Sequence, residues 1–270
     1  MKQDSRPIGF FDSGIGGLTV LRTVRRRFPG ENFIYLGDTA RLPYGTKSPE
    51  TIWRYTQQSI SALRAFDVKA VVVACNSAST ALLAGRSEAT QSDIPIYNVI
   101  EPGAQAALAV SEEGRIGVLG TRATVLSNAY VNALLARRSD VTVFQQAAPL
   151  LVPLVEEGWE EDALTNLIIF RYLTPLLAQR IDTLILGCTH YPALRLGIER
   201  VVGSEIRLVD SSFAIADILE RAFQAGTIDR AAPGGGGLDL YATDRSATMD
   251  ETARRLMGEP ELPGFQPFDL

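Results

Sequence analysis

The chain has 270 residues, 46% of them hydrophobic and 21% charged, enough for two ordinary domains with real cores in a soluble globular protein. A net charge of -5 argues against a nucleic-acid partner, whose binding surface shows as a basic excess or stripe. No uncharged apolar run approaches the roughly 18 residues of a membrane helix, and residues 1–7 lack the apolar core of a signal peptide. A cytoplasmic protein with no membrane partner is expected. In that compartment thiols stay reduced, so the two cysteines are not expected to pair. Two cysteines and one histidine are also too few for an ordinary four-ligand structural zinc site.

Apolar, β-branched runs bounded by turn residues alternate with longer helical patterns, the mark of βαβ units around a parallel sheet. Strands are expected near 8–11, 33–37, 70–74 and 96–99, then near 116–119, 141–145, 183–187 and 206–209. Each strand of the second set starts 108 to 113 residues after its counterpart (116 − 8 = 108; 183 − 70 = 113). Local text agrees, Ile8-Gly9-Phe10-Phe11-Asp12-Ser13 aligning with Ile116-Gly117-Val118-Leu119-Gly120-Thr121. These repeats predict an α/β fold of two pseudo-symmetric, doubly wound parallel-sheet domains facing each other across a cleft. Arg25-Arg26-Arg27, the sole basic run, sits among Leu21, Val24 and Phe28 at helical spacing and reads as a solvated helix face.

Beyond 209 the pattern predicts a helix over 213–223, a flexible surface loop over the glycines of 232–237, a strand over 238–242 and a helix over 247–256. Asp244 or Ser246 is placed to cap that last helix. Packed on the first half, this tail gives domains of 1–99 plus 210–270 and of 100–209. The glycine run is no phosphate cradle, since no Lys-Ser or Lys-Thr follows it.

Several loops carry chemistry. Asp12-Ser13-Gly14-Ile15-Gly16-Gly17 follows the first strand and opens a helix, where free N–H groups can meet a carboxylate; a helix cap by Asp12 or Ser13 is the competing reading. Pro43-Tyr44-Gly45 makes a turn that can present backbone N–H groups and a phenol, or is an ordinary turn. Cys75-Asn76-Ser77 and Cys188-Thr189-His190 each follow the third strand of their half, at the carboxyl ends where open α/β sheets bind ligands. Taken singly, each cysteine reads as buried and inert. As a matched pair at helix starts, where the dipole lowers a thiol pKa, they can approach one substrate from opposite sides. His190 alone would pass for a structural histidine, and Glu156 for surface charge.

Together Phe11-Asp12-Ser13-Gly14-Ile15-Gly16-Gly17-Leu18, Gly37-Asp38-Thr39-Ala40, Pro43-Tyr44-Gly45, Ala74-Cys75-Asn76-Ser77-Ala78, Pro153-Leu154-Val155-Glu156 and Leu186-Gly187-Cys188-Thr189-His190-Tyr191-Pro192 resemble the glutamate racemases, of the aspartate/glutamate racemase superfamily. The motifs stand in the family's order across most of the chain. The resemblance implies a two-domain α/β racemase without metal or other cofactor that supplies D-glutamate for peptidoglycan, with glutamate as its small-molecule partner and a homodimer as a candidate assembly. It implies that Cys75 and Cys188 are the proton donor and acceptor, Asp12 assisting Cys75, and Glu156 and His190 assisting Cys188. Substrate contacts are implied for Asp12, Ser13, Pro43, Tyr44, Gly45, Asn76, Ser77, Thr121, Thr124, Thr189 and His190. Ser77 stands where the family usually has Thr, and Ala148 where a further cysteine is common. An aspartate racemase, a single-thiol relative and a non-catalytic binding module remain open alternatives.

Overall fold

The computed structural model describes residues 3–84, 93–232, 234 and 236–270. The first three of its strands are almost wholly apolar runs, as parallel strands buried on both faces require, while the fourth, at the sheet edge, is only half-buried. They are β1 (Ile8–Asp12), β2 (Phe33–Gly37), β3 (Ala70–Val73) and β4 (Ile96–Asn98). The second set is β5 (Arg115–Gly120), β6 (Thr142–Ala147), β7 (Thr183–Gly187) and β8 (Arg207–Asp210), followed by β9 (Leu238–Ala242) and β10 (Gln266–Pro267).

All pairings are parallel. The larger sheet runs β10-β9-β2-β1-β3-β4 and the smaller β6-β5-β7-β8. With β1 to β4 matched to β5 to β8, both sheets share the spatial order 2-1-3-4, and β9 and β10 extend the first beyond β2. The register is shared too, Asp12 lying opposite Gly37 and Gly120 opposite Ala147 at the strand ends.

The helices are α1 (Leu18–Arg27), α2 (Pro49–Ala65), α3 (Asn76–Leu83), α4 (Ile100–Val110), α5 (Arg122–Leu126), α6 (Ala129–Leu135), α7 (Leu151–Glu156), α8 (Ala163–Leu177), α9 (Arg195–Val202), α10 (Ser211–Gln224) and α11 (Met249–Met257). One apolar cluster joins Phe10, Tyr35 and Val72 of the first sheet to Leu119, Leu184 and Leu186 of the second, under α1, α8, α9, α10 and α11. The opposite face of the first sheet packs on α2 and α3, and that of the second on α4 and α6. Both sheets are therefore doubly wound.

The tail helix corrects the expected cap. Neither Asp244 nor Ser246 caps α11, whose N-cap is Thr248 with no side-chain bond. Asp244 is instead held at the loop after β2, where Thr39 Oγ1 donates to its carbonyl and accepts its N–H. Of the basic run, Arg25 pairs with Glu259 and Arg27 with Asp217, while Arg26 is exposed. Pro233 and Gly235 of the expected glycine loop, and the first two residues, lie outside the described residues. Among the described residues no helix is long and apolar enough to cross a membrane.

Candidate active site

In the order 2-1-3-4 the loops leaving β1 and β3 diverge to opposite faces, which opens a crevice at their carboxyl ends. Each sheet supplies one such crevice, and the two meet. From the first sheet come Ser13 after β1 and Cys75 after β3; from the second come Thr121 after β5 and Cys188 after β7. They line a cavity of about 290 Å³ with Pro43, Tyr44, Gly45, Asn76, Ser77, Glu156, Thr189 and His190, at the small end of ligand pockets.

Cys75 caps α3: its sulfur accepts the Ala78 N–H at 3.4 Å. The thiol donates to Ser13 Oγ at 3.4 Å. The expected lowering of its pKa by the helix start is overturned. Burial, aided by the nearby Asp12 carboxylate, pushes the thiol up to about 12 against the opposing bonds from Ser13 and Ala78. Desolvation of a thiolate outweighs one helix terminus here.

Asp12 is fully buried at the end of β1. Its carboxylate accepts the Gly14 N–H at 3.0 Å and, at 3.5 Å, the Thr189 hydroxyl from the other half. It does not cap α1, whose N-cap is Gly17 without a side-chain bond, and neither does Ser13. Burial raises the Asp12 carboxyl pKa, while His190 and the Gly14 and Gly17 N–H groups pull it down. Asp12 stands behind the cavity wall and not on it.

On the second side, His190 Nδ1 lies 3.9 Å from Cys188 Sγ and Nε2 lies 3.1 Å from Glu156 Oε1. Burial acts to lower the imidazole pKa, but the bonds and charges of Cys188 and Glu156 together raise it to about 10. Thr189 Oγ1 is 3.5 Å from the same Nδ1. Cys188, His190 and Glu156 thus form a continuous path from the sulfur to the end of α7, which adds Glu156, distant in sequence, to the Cys188-Thr189-His190 motif.

Hydroxyls link the halves across the floor: Ser77 Oγ is 2.9 Å from Thr121 Oγ1, which lies 3.0 Å from Thr124 Oγ1. Thr121 also caps α5 by accepting the Thr124 N–H. Thr124 is fully buried behind Thr121 and does not line the cavity. The Tyr44 phenol is not presented to the mouth. It donates to buried Asp38, which Arg41 and Thr243 also bond, although Tyr44 remains among the residues lining the cavity. Gly14 and Pro153, both in motifs already marked, also line the cavity, as do Leu42, Thr46, Arg122, Pro149 and Val152, which were not singled out by sequence. The signal was present for Val152, one helical turn before Glu156, and for Arg122, between two threonines already marked.

Among the described residues no group of three His, Cys, Asp or Glu side chains could hold a metal ion. The arrangement provides two thiols from like positions in separate sheets on one small cavity, each with its own proton-handling neighbours.

The Asp/Glu/Hydantoin racemase family model matches residues 18–219. The chain is 43% identical to a glutamate racemase of Geobacter metallireducens over 94% of its length and 93% of that protein's. It superposes on the crystal structure of a glutamate racemase isoform of Bacillus anthracis with a TM-score of 0.91 at 35% identity, covering 98% of each chain. For the glutamate racemase of Francisella tularensis in complex with D-glutamate the TM-score is 0.88 at 30% identity, again over 98% of each chain. A family match over most of the chain, and relatives alike along nearly all of it, give one conclusion: the chain belongs to the Asp/Glu/Hydantoin racemase family, on its glutamate racemase branch.

Proposed function

We propose that the protein interconverts L- and D-glutamate through Cys75 and Cys188, with no cofactor, and so supplies D-glutamate for peptidoglycan. The observation that carries this reading is the pair of buried thiols delivered from equivalent strand ends of two sheets onto one amino-acid-sized cavity. The D-glutamate bound in the Francisella relative supports the substrate. The division into domains of 1–99 with 210–270 and of 100–209 belongs to the same proposal, supported by the strands each sheet contains.

The α-proton of glutamate is weakly acidic, so a thiolate must be held against it while fixed donors stabilise the carbanion. One sulfur, as thiolate, takes the α-proton and becomes a thiol. The opposite thiol gives its proton to the other face of the carbon and becomes the thiolate. Cys188 is the base toward L-glutamate and Cys75 toward D-glutamate. His190 and Glu156 hold and pass the proton of Cys188, while the nearby charge of Asp12, with burial, sets the protonation of Cys75. Ser13, Pro43, Tyr44, Gly45, Asn76, Ser77, Thr121, Thr189 and His190 hold the substrate, Asp12 and Thr124 supporting them from behind.

Circular dichroism of L-glutamate incubated with the purified protein tests the reading. The signal is expected to decay to zero as the racemate forms, with aspartate much slower, because a side chain one methylene shorter leaves fixed donors unpaired. An unchanging glutamate signal would sink the proposal.

A further inference from the structure

Tyr130, on α6 of the second half, is fully buried and serves both thiol segments. Its ring edge packs on Gly187, immediately before Cys188: a Cβ at that glycine would lie 3.2 Å from Tyr130 Cε2 and 3.0 Å from the Leu119 carbonyl oxygen. Its hydroxyl crosses to the first half and donates to Asn76 Oδ1 at 2.8 Å, immediately after Cys75. Ser211 Oγ lies 3.3 Å from the same hydroxyl. Burial holds the phenol above the ordinary tyrosine range, so it keeps its proton and can donate.

Asn76 carries one acceptor oxygen and two N–H donors. The oxygen is taken by Tyr130, whereas Nδ2 has no protein partner among the described residues although Asn76 lines the cavity. We propose that Tyr130 is a positioning residue that locks the Asn76 amide with its oxygen turned away, so that both N–H bonds face a carboxylate of the substrate. A flipped amide would set an acceptor against an anion and lose a charge-assisted hydrogen bond. The inference rests on reading the cavity as the glutamate site.

Tyr130→Phe keeps the ring on Gly187 and deletes the donor. KM for glutamate is expected to rise about tenfold with kcat within about twofold of the parent, the pattern of binding lost equally from ground and transition states. In an Asn76→Ala background the same change should move KM by less than about twofold, since no amide is left to orient. Ser211→Ala, which removes the other hydroxyl near Tyr130, should leave KM at the parent value. An unchanged KM in Tyr130→Phe, or an equal rise in both backgrounds, overturns the proposal. Neutron diffraction from the unsubstituted protein reads the orientation without any variant: the Asn76 amide deuterons should face the cavity, and an oxygen found there overturns the proposal equally. A parent protein that does not racemise glutamate would instead bring down the functional reading, which the neutron result does not depend on.

Discussion

Burial holds the Cys75 thiol protonated at neutral pH, with Asp12 adding to the effect. In a Cys188→Ala variant, alkylation of Cys75 by iodoacetamide should therefore accelerate about tenfold per pH unit well past pH 9, because only the thiolate reacts and its fraction grows by that factor below the pKa. A plateau near 9.0, the ordinary thiol value, would show that burial does not govern this sulfur. For racemisation both sulfurs are needed, since one alone lifts a proton with nothing placed to return it on the other face. Cys75→Ala and Cys188→Ala should each lose at least about three orders of magnitude in kcat/KM, the scale for a deleted general acid or base. Near-native turnover in either variant would exclude a two-thiol mechanism. The identity of these residues was legible from their motifs, but their environment was not. Helix-start reasoning predicted a lowered Cys75 pKa because spacing reveals a helix terminus and says nothing of how deeply a side chain is buried. The family resemblance implied substrate contacts for Asp12 and Thr124, which in the structure lie behind the residues that line the cavity.

At the scale of elements, the turn between β1 and α1 lies so close to the second half that it works as part of its wall. A Cβ at Gly16 would fall 2.4 Å from the His190 ring and 2.5 Å from Thr189 Oγ1. Gly16→Ala should push His190 out of line with Cys188 and lower kcat/KM about a hundredfold, as small misplacements of reacting groups do, while far-UV circular dichroism stays near that of the parent. Parent-like kinetics would mean that the loop yields without disturbing His190. Elements with strong periodic text were readable: the Val-rich β3 and Leu-Ile-rich β7 end within a residue of their expected limits. The two-residue β10, Gln266–Pro267, was not, because a pair of exposed residues carries no alternation. The cap of α11 was misread because Asp244 is bound to Thr39, a tertiary contact that local sequence does not encode.

Across the whole molecule, one buried ion pair gathers distant stretches of chain. Lys69 Nζ lies 2.6 Å from Glu31 Oε2, their side chains 1% and 4% exposed. The ammonium also donates to the carbonyls of Asp4 and Asp229, and Glu31 accepts the Ala231 N–H. Lys69→Met leaves Glu31 buried without a counter-charge and should cost about 3–5 kcal/mol of stability, whereas adding Glu31→Leu should recover most of it. Urea unfolding of the two variants checks this, and equal losses in both would assign the effect to packing.

The pairing of β9 beside β2 also dictates an order of assembly during synthesis. Thr243, just past β9, donates at 3.0 Å to Asp38, 205 residues earlier, and Asp38 in turn takes the Tyr44 hydroxyl. As the ribosome extends the chain, every strand of the second sheet, through β8 at Asp210, is made before β9 at Leu238. Domains fold as their residues emerge, so the wall bearing Cys188 can form while Asp38, which holds Tyr44, still lacks its bond from Thr243. The bond from Thr243 is therefore the last of the Asp38 contacts whose residues leave the ribosome, after those from Arg41 and Tyr44.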